Sequence, residues 1–255
     1  MKIRVLGCHG AQLPGYNTTS FLLNKNILVD AGTVTSLLSL DEQIAIDYIF
    51  ITHAHLDHVK DIAFLADNLH GRKEHPVEII TTQGIINILR ENLFNNIIWP
   101  DFSEIPNREA PVIKFRALDP RSSYSVDSLT IQAVLVNHII ETMAFVVRFE
   151  GGSVIFVGDT GPTEDIWEIA NILPDLKAIF IETSFPNDMR SIAEAAGHFT
   201  PASFNDELKK LFLLKTVDIY LYHLKPQYRE LIEDQISSIS RDNVKILKEG
   251  EIIEI

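Results

Sequence analysis

A chain of 255 residues is long enough for one large domain or two small ones and can bury a substantial core. Its 46% hydrophobic content is that of a globular protein. Its formal charge of −13 argues against a protein that grips a long nucleic acid, because such binding needs many Lys and Arg contacts to phosphate. Cys8 is the one cysteine, which excludes an internal disulfide; it reads as a small buried hydrophobe. No apolar run approaches the ~20 residues of a membrane span, and Lys2-Ile3-Arg4-Val5-Leu6-Gly7 reads as a short strand rather than a signal segment. The expectation is a soluble, cytoplasmic chain without membrane contact.

After that first strand, 19–23 and 27–29 read as strands flanking the polar turn Asn24-Lys25-Asn26, and Asp30-Ala31-Gly32 follows as a break. Residues 49–52 form a short buried strand. An apolar stripe of Val59, Ile62, Ala63, Leu65, Ala66 and Leu69 predicts a helix over 59–69, with Gly71 at its C-terminal cap. A strand at 77–81 and a helix at 84–94 precede a proline-rich stretch of little periodicity, read as a loop-rich insertion at about 94–111. Strands follow near 113–117, 129–136, 143–149 and 153–157, then a helix near 163–171 and a strand at 178–182. Helices near 201–214 and 226–238 and strands at 218–222 and 244–255 complete the chain. No low-complexity linker divides the halves, so residues 1–255 read as one domain of two sheets with helices outside.

The segment Thr52-His53-Ala54-His55-Leu56-Asp57-His58 follows the apolar run Tyr48-Ile49-Phe50-Ile51. Three imidazoles and a carboxylate have little use in a core or a solvated loop, whereas a metal site needs such ligands to converge on one point. His53 and His55, two apart on extended chain, point the same way. Asp57 and His58 then begin a turn and can reach a second metal. Other apolar strands end the same way: Val134-Leu135-Val136-Asn137 leads to His138, Val154-Ile155-Phe156-Val157-Gly158 to Asp159, Ala178-Ile179-Phe180-Ile181 to Glu182, and Ile219-Tyr220-Leu221-Tyr222 to His223. Alone, His138 or His223 reads as a satisfied histidine and Asp159 as a turn or cap residue. Beside the histidine cluster they become ligand candidates, since sheet-based enzymes gather their residues at strand ends. His9, His70 and His75 have no such support.

These motifs resemble the metallo-β-lactamase superfamily: His53 to His58, then Gly158-Asp159-Thr160 and the later histidines. Leu56 between His55 and Asp57 is typical of its class II 3′,5′-cyclic-nucleotide phosphodiesterases. Val5-Leu6-Gly7-Cys8, Asn17 to Leu22, Leu93 to Phe102, Ile181 to Asn187 and Gly197-His198-Phe199-Thr200-Pro201 look like the same family, so the resemblance spans nearly the whole chain. It implies an α/β fold, the αβ/βα four-layer sandwich with two mixed β-sheets and outer helices. By position, His53, His55 and His138 would hold one metal, Asp57, His58 and His223 a second, and Asp159 would bridge them. Zinc is the expected metal, with manganese or iron also suited to this ligand set.

The resemblance further implies hydrolysis of cAMP or cGMP to the 5′-nucleotide by a hydroxide on a dinuclear centre. Two divalent ions, less Asp57, Asp159 and hydroxide, leave one positive charge, matching the single negative charge of a cyclic phosphodiester. Asp57, His198 and Glu182 form the expected catalytic set, with His198 as general acid and Glu182 holding its other ring nitrogen. Phe94, Trp99 and Phe102 in the insertion are candidates for stacking on a purine, against the equal alternative that they fill a core or a dimer contact. The expected partner is a small cyclic nucleotide rather than a long nucleic acid, and relatives suggest a homodimer. The nearest alternative is an endonuclease like RNase Z, which matures tRNA 3′ ends; its strand-end Glu, His-x-Thr and later His come in the order seen here at Glu182, His198-Phe199-Thr200 and His223, but it usually carries a basic arm as well. A di-iron redox protein of this fold, which usually carries glutamate where His55 stands, and a non-catalytic metal-binding relative fit less well.

Overall fold

The computed structural model describes residues 1–212, 216–239 and 241–255. In chain order the elements are β1 (Lys2–Gly7), β2 (Ser20–Leu23), β3 (Ile27–Val29), α1 (Leu40–Ile44), β4 (Tyr48–Phe50), α2 (Leu56–Leu69), β5 (Val77–Thr81), α3 (Gln83–Asn92), β6 (Ile113–Ala117) and β7 (Ser123–Val126). There follow β8 (Leu129–Val136), β9 (Thr142–Phe149), β10 (Gly152–Val157), α4 (Asp165–Ile172), β11 (Leu176–Glu182), α5 (Arg190–Ala196), α6 (Pro201–Glu207), β12 (Asp218–Tyr222), α7 (Arg229–Ser237), β13 (Val244–Ile246) and β14 (Ile252–Glu254).

Two seven-stranded sheets result, ordered β14-β1-β2-β3-β4-β5-β6 and β13-β12-β11-β10-β9-β8-β7. Each is antiparallel at one end and parallel at the other, as in the mixed sandwich expected. The alternation of the strands decides which residues meet. Phe145, Val147, Phe156, Phe180 and Tyr222 face the first sheet, while Ala144, Val146, Ile155, Val157 and Ile179 face the other way into the α4, α6 and α7 layer. Across the seam the Phe21 ring lies 5.3 Å from Phe156, 5.8 Å from Phe180 and 5.3 Å from Tyr222, centroid to centroid. Phe50 meets Phe145 at 5.6 Å.

The topology brings strand ends to one edge of this seam. Strands β10, β11 and β12 are parallel neighbours, so Val157, Glu182 and Tyr222 end together. Strand β8 is antiparallel to β9, and β9 to β10, so β8 also ends there. The first sheet is joined to this edge where Met143 N donates to Thr52 O at 3.0 Å. Close packing behind the edge leaves no room for a side chain at Gly32, where a Cβ would lie 2.0 Å from Asp57 O.

Several elements differ from expectation. The predicted strand over 244–255 is two strands in opposite sheets: β13 pairs with β12, and β14 with β1. Between them Gly250 takes φ +77, a conformation that glycine permits. The predicted helix at 201–214 ends as α6 at Glu207, with a tight 3₁₀ turn after it, and its residues 213–214 lie outside the described residues. Helix α2 starts at Leu56, before the predicted 59. Strand β7 and the short helices α1 and α5 were not anticipated; five or seven residues are too few to show a helical period. Among the described residues no helix is long and apolar enough to cross a membrane.

Phe21 joins the two sheets through three rings, so Phe21→Ala is expected to destabilise the fold by roughly 3–5 kcal/mol in urea unfolding. A loss under about 1 kcal/mol would show that the seam does not depend on this contact.

Candidate metal centre

The chain leaves β4 in extended form through His53 and His55, then enters α2 at Leu56. His55 is the N-cap residue of α2, with extended backbone and no side-chain cap bond, which leaves its ring free to turn inward. Asp57 lies in the first helical turn, where the helix dipole favours a carboxylate. His58 follows on the buried side, whereas Leu56 is 66% exposed and points to solvent.

The predicted ligands do converge. His53 Nε2 lies 3.1 Å from His55 Nδ1, which lies 3.4 Å from His138 Nε2. His58 Nε2 lies 3.2 Å from His223 Nε2, which lies 3.2 Å from Asp57 Oδ2. Asp159 sits between the two groups: its Oδ2 is 3.6 Å from His53 Nε2 and 3.2 Å from His223 Nε2, and its Oδ1 is 3.5 Å from His58 Nε2. Donors about 2.0–2.1 Å from a tetrahedral zinc are roughly 3.3 Å from one another, so these spacings suit a metal.

The outer ring nitrogens are occupied in a way that turns the inner ones toward a cation. His53 Nδ1 meets Thr52 Oγ1 at 3.0 Å, His58 Nδ1 meets Asp30 Oδ2 at 2.7 Å, His138 Nδ1 meets Gly197 O at 2.9 Å and His223 Nδ1 meets Ser184 Oγ at 2.9 Å. Such partners fix the tautomer and leave Nε2 with a lone pair. Asp159 Oδ1 is buried without a hydrogen-bond partner, an expensive state for a carboxylate oxygen unless a cation meets it. The donor set, its spacing and this orphaned oxygen fit a metal-binding centre.

Burial, with the charges of His58, His55 and His138 adding to it, pushes the His53 imidazole well below its ordinary value. Burial opposes charge on His58 too, but Asp159 and Asp30 outweigh it and hold that ring well above its ordinary value. Burial would raise Asp159, yet His223 and His58 hold it well below the usual carboxylate range. Asp57 is lowered likewise, burial being outweighed by the adjoining His223 and His58 rings.

His198 and Glu182 stand beside the ligands. His198 Nδ1 meets Glu182 Oε1 at 2.7 Å, and its ring is 5.5 Å from that of His223 and 5.1 Å from that of His138. Burial would lower the His198 imidazole, but the Glu182 charge and hydrogen bond raise it.

Of the two readings of the aromatic candidates, Phe94 and Phe102 follow the core one. Phe94 and Phe102 are core residues, exposed by 2% and 4%, and offer no ring face for stacking on a base. They fill the interior because the irregular insertion has no sheet or helix of its own beneath which to bury apolar surface. Half-buried Trp99 packs against Phe64 at 5.3 Å. His70 and His75 are exposed. His9 is buried and holds Glu249 at 2.9 Å and Arg229 at 3.1 Å. Cys8 is buried, and burial pushes its thiol up.

Two residues of the site were not anticipated, Asp30 and Ser184. Asp30 is 1% exposed with φ +57; its carboxylate accepts from Thr52 N at 2.8 Å and holds His58. It follows the apolar strand β3 as His223 follows β12, a signal hidden by reading Asp30-Ala31-Gly32 as a mere break.

Residues 25–223 match a family described as a Beta-lactamase superfamily domain. With its two mixed sheets and its cluster of metal-capable residues at their edge, the chain belongs to the metallo-β-lactamase superfamily. It is similar to a probable 3′,5′-cyclic-nucleotide phosphodiesterase of Yersinia pestis, 26% identical over 73% of this chain; the chain spans 59% of that relative's length. It is 27% identical to a UPF0173 metal-dependent hydrolase of Staphylococcus epidermidis, over 94% of this chain and 97% of the relative. In structure it resembles unliganded yeast PDE1, with a TM-score of 0.82, 18% identity and 98% of each chain covered, a likeness of fold.

Asp30→Asn removes the charge that orients His58 while leaving a residue that tolerates positive φ. It is expected to weaken metal binding by about 10–100-fold in chelator competition, with an unchanged circular dichroism spectrum. Unaltered affinity would remove Asp30 from the site.

Proposed function

We propose that the chain is a metal-dependent phosphodiesterase that opens 3′,5′-cyclic nucleotides, cAMP or cGMP, to 5′-monophosphates. The observation that carries this reading is Asp159, one buried carboxylate lying between two ligand groups, with the His198–Glu182 pair beside it. In support, relatives named for this activity align over most of the chain at 26% identity. The net charge of −13 favours a small anion bound at the centre over a long RNA held along a surface.

His53, His55, His138 and Asp159 would hold one ion, and Asp57, His58, His223 and Asp159 the other. Two divalent ions supply Lewis acidity at a phosphoryl oxygen and lower the pKa of water toward neutrality. The attacking oxygen forms a bond to phosphorus as the bond to O3′ breaks. The departing O3′ needs a proton, and His198 Nε2 would give it. Glu182 accepts from His198 Nδ1, which keeps the ring upright and favours its protonated form.

His198→Ala is expected to lower kcat by roughly 10²–10⁴-fold with metal content retained. Unchanged turnover in a metal-replete variant would take His198 out of the reaction. The reading as a whole is tested by assaying metal-replete protein with cAMP, cGMP, a chromogenic phosphodiester and precursor tRNA. Hydrolysis of a cyclic nucleotide supports it; cleavage of the tRNA and of neither cyclic nucleotide would replace it with tRNA 3′ processing.

A further inference from the structure

Ser184 has no part in the reaction above, yet its side chain is fully buried among the groups that do. Its Oγ lies 2.7 Å from Glu182 Oε2, 2.9 Å from His223 Nδ1, 3.2 Å from His223 O and 3.3 Å from His198 Nδ1. A hydroxyl has one proton to give and lone pairs to receive. The proton goes to the carboxylate, which is both the shortest contact and the charged acceptor. The oxygen then accepts from His223 Nδ1–H. In the neutral ring this directs the Nε2 lone pair toward Asp57 Oδ2 and Asp159 Oδ2, each at 3.2 Å, where a shared metal would sit. The other Glu182 oxygen takes His198 Nδ1–H at 2.7 Å.

We propose that Ser184 is a positioning residue that links the two halves of the site. Through it Glu182, already bonded to the proton donor His198, also sets the tautomer and ring orientation of the metal ligand His223. One buried carboxylate thus serves the second metal and the acid together. The linkage rests on the metal-centre reading above and is independent of which substrate is cleaved. The backbone of Ser184 is held separately: its N donates to Phe199 O at 3.0 Å, and its O accepts from Lys225 N at 3.2 Å. Removing the hydroxyl therefore leaves the loop anchored.

The test is zinc titration of substrate-free, metal-stripped protein against a chromogenic chelator. Ser184→Ala is expected to lower affinity for one of two zinc ions by about 10–100-fold and leave the other unchanged. Glu182→Gln should weaken the same ion, and the double variant should be no weaker than either single one, because both act along one chain of hydrogen bonds. Ser184→Thr, which keeps the hydroxyl, should restore binding. Wild-type zinc affinity in Ser184→Ala, equal loss of both ions, or additive losses in the double variant would overturn the proposal. If Ser184→Ala does not fold, Glu182→Gln and Ser184→Thr decide it: normal binding by the first overturns the linkage, and loss of one ion by the first with normal binding by the second supports it. Since no substrate is present, inactivity on cyclic nucleotides would defeat the proposed function without altering this result. A wild-type protein that binds fewer than two zinc ions would overturn the linkage.

Discussion

Everything at the working edge of this protein depends on five imidazoles and two carboxylates forced to face one another. His53, His58, Asp159 and His223 are almost wholly buried. Unshared lone pairs about 3 Å apart repel, and the hydrogen bonds that normally satisfy a buried histidine are spent on the far side of the His53, His58, His138 and His223 rings. The arrangement becomes favourable when a cation fills the centre. Such a centre has to be assembled by a fold rigid enough to hold the lone pairs together before the cation arrives.

The two sheets supply that rigidity. The aromatic seam of Phe21, Phe156, Phe180 and Tyr222 fixes the distance between them, and the parallel order of β10, β11 and β12 sets three strand ends side by side. A second layer of polar groups then aims the rings. Asp30 reaches from the first sheet to His58 and Thr52, and Glu182 reaches from the second to His198 and, through Ser184, to His223. His58 is held by a carboxylate from one sheet and His223 by one from the other, so sliding of one sheet against the other would disorder the centre.

The ligands were legible because each carries its own chemistry in a local pattern. Three histidines and an aspartate over 53–58 have no common structural use, and the apolar runs before His138, Asp159 and His223 marked strand ends. Asp30 followed the same pattern and was missed, because an aspartate beside Ala31-Gly32 is also what a turn requires. The aromatic residues stayed open between two readings for a related reason. Phe94 and Phe102 lie in an irregular segment, where exposure is the usual expectation. The fold instead draws them into its core, and nothing in their spacing distinguishes the two outcomes.

By itself, then, the order of residues determined which groups exist to bind a metal, the alternation that makes two half-buried sheets, and the family to which the chain belongs. Those are properties of a few neighbouring residues, set by side-chain chemistry and by the two-residue period of a strand. Tertiary structure decided which residues orient the ligands and which aromatic rings are covered. It also decided that the chain after 244 divides between two sheets. Those outcomes join positions such as Asp30 and His58, or Ser184 and His223, that are far apart in the chain, and only the packing of one sheet on the other brings them within hydrogen-bonding distance.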